Sequence, residues 1–176
     1  MNIFLDLIGS VFVRGSMVAV MLTLTVTMND ALYQRTQHAN TKEHVRVIAD
    51  VAYQDLTQAG YNHTGDHVFC YLYAQDVRFH GDVDDNGTSD RVRYYAVLHG
   101  ATGYWTLYRE VQYQATITLA KKLKSVQFQY YDSKGKITAD PLKVAAVRMT
   151  FTEDVEGVTE GFTTATKDFK IYPSNL

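Results

Sequence analysis

Val45-Arg46-Val47-Ile48-Ala49-Asp50-Val51-Ala52-Tyr53-Gln54-Asp55-Leu56-Thr57-Gln58-Ala59-Gly60 sets apolar residues at helical spacing: Val45, Ile48, Val51 or Ala52, Leu56 and Ala59. Steps of three and four residues bring these side chains onto one face of an α-helix, and Gly60 stands where a helix stops. The stripe predicts an amphipathic helix whose apolar face packs on a sheet.

Toward the N-terminus nothing breaks that helix, since the first proline is Pro141. One helix from about residue 2 to 59 is predicted, roughly 85 Å long at the α-helical rise and far longer than a bilayer needs. From Asn2 to about Met28 the residues are overwhelmingly apolar, with Asp6 and Arg14 as the only charges. That length and composition predict a membrane span. With no basic region before it and no small-residue cleavage site after it, the segment reads as retained rather than removed. Gly9, Gly15, Ser10 and Ser16 are either small residues that let helices approach closely or merely tolerated weak points.

Asp6 and Arg14 are the candidate assembly residues. A carboxylate in hydrocarbon is costly unless paired. Asp6 either sits at the membrane surface, where the helix dipole favours it, or pairs with the N-terminal amine of a neighbouring subunit. Arg14 is either an inward partner or a snorkelling side chain.

After Gly60 the pattern changes to period two. Strands are predicted at His67 to Tyr73, Asp76 to His80, Arg91 to Leu98, Tyr104 to Arg109, Tyr113 to Leu119, Ser125 to Tyr131, Val144 to Phe151 and Thr164 to Tyr172. Asp132-Ser133-Lys134-Gly135 is the clearest hairpin turn. Short sequential strands make an antiparallel meander, one face of it covered by the end of the helix. The fold class is α+β, with residues 1–60 as helix and 61–176 as a β domain.

Asp82-Val83-Asp84-Asp85-Asn86-Gly87-Thr88-Ser89-Asp90 is the one chemically pointed segment. Oxygen donors at its first, third, fifth and ninth places, with glycine at the sixth, follow the start of an EF-hand-type loop. Asp82, Asp84, Asn86, Asp90 and the Thr88 carbonyl would surround calcium. The twelfth place is Arg93, which cannot ligate, and the plain alternative is a polar hairpin loop. Lys121, Lys122 and Lys124 read as a solvated strand edge. Cys70 is the only cysteine, so no intrachain disulfide forms.

Hydrophobic residues are 46% and charged residues 20%, with net charge -2, which argues against both a disordered chain and a polyanion binder. No Ser-His-Asp, Cys-His or nucleotide-binding glycine pattern points to an enzyme. Neither nucleic acid nor a small-molecule substrate is inferred.

The order of several short motifs resembles the type IV pilin superfamily, specifically its minor-pilin and pseudopilin branch of the PilW and PulJ/GspJ type. Asp55-Leu56-Thr57-Gln58-Ala59-Gly60-Tyr61 is similar to the segment that ends the long helix there. Gly81-Asp82-Val83-Asp84 through Arg91-Val92-Arg93-Tyr94-Tyr95 resembles an Asp-rich turn followed by a Tyr-containing strand. Trp105 to Arg109, Leu119-Ala120, the Phe128/Tyr130 strand and the ending Tyr172-Pro173-Ser174-Asn175-Leu176 keep the same order. The start Met1-Asn2-Ile3-Phe4-Leu5-Asp6 departs from the family's Gly cleavage site and Phe-Thr-Leu-x-Glu run. Asp6 falls at or next to the place of the family's acidic residue.

The resemblance implies a pilin-like fold and a structural subunit of a type IV pilus-like or pseudopilus filament. Its partners would be copies of itself or other pilin-like subunits. The chain would lie in the inner membrane before assembly, then in an extracellular or periplasmic filament at the cell surface. No cofactor is required; calcium is the one ion the sequence suggests. The alternative is a membrane-anchored monomeric β domain that binds calcium or a surface ligand, with a shorter helix and a flexible stretch between residues 29 and 44.

Overall fold

A computed structural model describes residues 3–155 and 164–176, with side chains from Leu7 onward. One helix, α1 (Ile3–Thr57), leads into seven strands: β1 (Phe69–Tyr73), β2 (Asp76–Gly81), β3 (Asp90–His99), β4 (Tyr104–Val111), β5 (Ile117–Tyr131), β6 (Ala146–Asp154) and β7 (Thr164–Ile171). They form one antiparallel sheet in sequence order, the expected meander, and the α+β arrangement is consistent with a pilin-like fold. A short 3-10 turn at Pro141–Lys143 precedes β6. The expected start of the helix at Asn2 lies outside the described residues.

The helix is continuous across residues 29–44, so the flexible stretch required by the anchored-domain alternative does not exist. Gln34, Gln37, Asn40 and Thr41 are polar but unbranched or small enough to stay helical, and no glycine or proline interrupts them.

Only the end of the helix enters the core. Val45, Ile48, Ala49, Ala52, Leu56 and Ala59 are buried against Phe79, Tyr94, Leu107, Leu123, Met149 and Phe151. Each large side chain so buried contributes about 1.5–3 kcal/mol of transfer free energy. Three polar contacts trace the helix's course over the sheet. His44 meets Glu153 on β6 at 2.9 Å, Asp55 meets Arg109 on β4 at 2.6 Å, and Ala59 bridges to Gly81 on β2. A Cβ at Gly81 would lie 2.4 Å from the Gln58 carbonyl oxygen, so glycine is what lets the helix end come this close.

The two strands expected at Tyr113 to Leu119 and Ser125 to Tyr131 are one long strand, β5. Tyr113 belongs to the turn before it, with φ 62° and its side chain almost fully exposed. Instead of breaking, the chain bends: Lys122 takes φ 63° and the register shifts between Leu123 and Ser125. The first half of β5 therefore pairs with β4 and the second half with β6. The edge freed in the second half receives the β1–β2 turn, where Phe128 N–H donates to the Ala74 carbonyl at 2.8 Å. The sheet is thereby curled, with its core-facing side chains on the inside. The Asp132–Gly135 turn forms as expected, with Gly135 at φ 76° and Asp132 Oδ1 accepting from the N–H groups of Lys134 and Lys136.

Candidate functional site

The most conspicuous surface is the projecting part of α1. Every residue from Leu7 to Tyr33 is exposed, and Leu7, Val11, Phe12, Met17, Leu22 and Leu24 each leave more than half of their area open. By length and composition this helix can cross a membrane and serve as an anchor. Four of its hydroxyls are satisfied within the helix: Ser16 donates to the Val13 carbonyl, Thr23 to Ala19, Thr25 to Met21 and Thr27 to Thr23, at 2.8–3.0 Å. Such internal bonding is what an apolar medium demands of a hydroxyl. Arg14 is exposed in this run, and Asp6 lies within the helix, its side chain outside the described residues.

The acidic loop sits at the other end of the helix, between β2 and β3, where Gln58 Nε2 donates to Asp85 Oδ1 at 3.3 Å. Carboxylate oxygens of Asp82, Asp84 and Asp90 lie within 4.8 Å of one another. Asp82 is buried and holds the loop's shape: Oδ1 accepts from Asn86 N–H, and Oδ2 from Gly87 N–H and Asn62 Nδ2. Burial works to raise its pKa, but these donors outweigh it and hold the carboxyl below its ordinary range. Asp90 shifts the other way, raised by burial and by the charges of Asp84 and Asp82.

Of the five expected ligands the structure brings three carboxylates together. Asn86 turns its Oδ1 onto the N–H and hydroxyl of Thr88. Arg93, at the twelfth place, lies along β3 and forms a two-point ion pair with Asp76 at 2.6 and 3.0 Å. Hard oxygen donors in this number suit a divalent cation only with water or another molecule completing six to eight ligands.

Beside the loop, the ring of His63 stacks on His80 with centroids 4.8 Å apart, and His63 Nδ1 lies 3.4 Å from Ser89 Oγ. Burial first, then the charges of His63, Arg91 and Arg78, lower the His80 pKa. Lys124 of the basic cluster is paired with Asp154 at 2.7 Å, so it is not simply a solvated edge.

A further polar constellation joins helix to sheet. Asp55 is 4% exposed and accepts from Arg109 Nε and Nη2 and from the Tyr94 hydroxyl. Burial, then the neighbouring Asp55, push the Tyr94 pKa well up. Burial alone would lower the Arg109 pKa; the hydrogen bonds and charge of Asp55 reverse that and raise it. The sequence carried a signal for this site: Asp55 lies three residues after Ala52 and four before Ala59, on the buried stripe itself. No protein-family model and no curated protein matches the chain, so its functional reading rests on these residues and their geometry.

Proposed function

We propose that the chain is a structural subunit of a type IV pilus-like or pseudopilus filament, assembled through its hydrophobic N-terminal helix. The observation that carries this reading is the uninterrupted helix whose exposed apolar half, Leu7 to Tyr33, continues directly into a half packed in the β domain. About 46 Å of helix, residues 3 to 33, projects from the body. Such a surface needs lipid before assembly and neighbouring helices after it. The chain waits in the inner membrane, then joins copies of itself or related pilin-like subunits in a filament outside it. Resemblance to the minor-pilin branch favours a low-copy initiating role over that of the main repeating subunit, and the chain itself performs no catalysis.

Electron microscopy of material sheared from the native cells, with mass spectrometry of the N-terminal peptide, tests this. Filaments that contain the chain, abundantly or in traces, support it and separate the main from the minor role. A chain found solely as dispersed membrane protein sinks it. Asp6→Ala is expected to leave the β domain folded and to impair assembly; normal filament yield would remove the carboxylate's assembly role.

The second reading, an anchored domain that holds calcium, is favoured by the convergence of Asp82, Asp84 and Asp90. It loses ground with the continuous helix. Calcium in the loop is equally compatible with a filament subunit.

A further inference from the structure

Arg14 is the one charged side chain between Leu7 and Thr27, and its place along the helix makes it demanding. It lies about 16 Å from residue 3 and about 21 Å from residue 28 along the axis, near mid-depth of a hydrocarbon layer about 30 Å thick. The hydroxyls of Ser16, Thr23, Thr25 and Thr27 turn back onto their own helix carbonyls, whereas among the described residues Arg14 has no carboxylate partner. Asp6 is the only acid in the apolar run. Eight residues, about 12 Å, separate the two on one helix, whereas side chains on a helix meet at three or four.

We infer that Arg14 of one copy pairs with Asp6 of a second copy displaced by eight residues, about 12 Å, along the helix axis. The inference rests on the filament reading and specifies its register. All copies carry the β domain at the same end of the apolar segment, so copies sharing a membrane or a bundle run parallel. Sliding one of two parallel helices toward its β domain by eight residues brings its Asp6 level with the other's Arg14. The contact joins different faces, because the first copy's Asp6 and the second copy's Arg14 stay open for further copies. Such a head-to-tail contact propagates instead of closing as a dimer. Positions 6 and 14 lie about 80° apart around the helix, so the two neighbours of each copy lie in different directions and the array winds about an axis. Gly9, Ser10, Gly15 and Ser16 leave room for close approach beside the pair.

The test uses the full chain in its native membrane, with Cys70→Ser to remove the native thiol. A chain carrying both Asp6→Cys and Arg14→Cys should form a ladder of disulfide-linked dimers, trimers and larger species on oxidation, and either single change should give monomer. Arg14→Asp or Asp6→Arg alone should cut assembled material about tenfold, and the two together should restore it to within about twofold. If a single-cysteine chain links to itself as readily as the double variant, copies lie in register; that overturns the offset and leaves the filament reading standing. Failure of the charge exchange to restore assembly also overturns the pairing. If the unmodified chain gives no filaments and no variant links, both readings fall.

Discussion

Asp55 on α1 and Arg109 on β4 meet through two hydrogen bonds, Nε to Oδ2 at 2.6 Å and Nη2 to Oδ1 at 3.0 Å, in a place where both side chains are largely shielded from water. Tyr94 on β3 adds its hydroxyl to the same carboxylate. Three elements distant in sequence are thereby fixed at one point.

Removing the carboxylate strands a buried guanidinium and a buried phenol. Asp55→Ala is expected to cost about 3–5 kcal/mol, read from urea denaturation of the detergent-solubilised chain. Replacing all three groups with apolar ones, Asp55→Leu, Arg109→Met and Tyr94→Phe, should cost clearly less than Asp55→Ala alone. A triple variant no more stable than Asp55→Ala would show that the network contributes beyond satisfying its own members.

At Asp90 the raised pKa means the folded chain holds that proton more tightly than the unfolded one. Its contribution is therefore favourable in acid, below the unfolded value, and is lost as pH rises through the folded pKa. Asp90→Asn should raise the Tm at neutral pH by about 2–4 °C. If the three carboxylates hold calcium, the unmodified chain gains stability with added calcium, loses it with chelator, and Asp90→Asn abolishes the response. A melting curve indifferent to both additions identifies the loop as a plain turn.

His80 is depressed, so acid acts against it. Above pH 6.5 both folded and unfolded chains are neutral there; below it the unfolded chain takes up the proton first, and stability declines with falling pH. Denaturation at about pH 5.5 and 7.5 should show this decline in the unmodified chain and a smaller one in His80→Phe, which keeps a ring against His63. An unchanged slope would place the acid sensitivity elsewhere.

Gly60 follows the helix with φ 85°, and a Cβ there would stand 2.2 Å from the Asn175 carbonyl oxygen. Gly60→Ala is expected to lose about 1–3 kcal/mol and to loosen the C-terminal tail, seen as faster proteolysis after residue 172. Wild-type stability and an intact tail would show that the end of the chain is held by other contacts.

The apolar stripe, the uninterrupted chemistry of residues 2–59 and the Gly60 stop make the helix legible in the sequence, and period-two patterning does the same for the meander. Merging of the two strands into β5 was not legible, because the bend is made by Lys122 at positive φ and not by a glycine or proline. In the acidic loop, spacing pointed to Asp82, Asp84 and Asp90, whose oxygens do lie close together, but the orientation of the other expected ligands depends on contacts that spacing does not encode. Asn86 is claimed by Thr88, and Arg93 by Asp76 across the β2–β3 register. Asp55 shows the opposite failing: a charge on the buried face of a helix announces a buried partner, yet the partners lie 39 and 54 residues away.

The uninterrupted helix also makes the molecule a lever. With the helix held on the sheet from His44 to Ala59 and continuous from there back to residue 3, a tilt of about 10° in the packed segment sweeps the far end through roughly 11 Å, given about 62 Å of helix beyond His44. The angle set where the helix packs on the β domain is thus magnified into the position of its apolar end, and a pull on that end arrives as torque on the sheet.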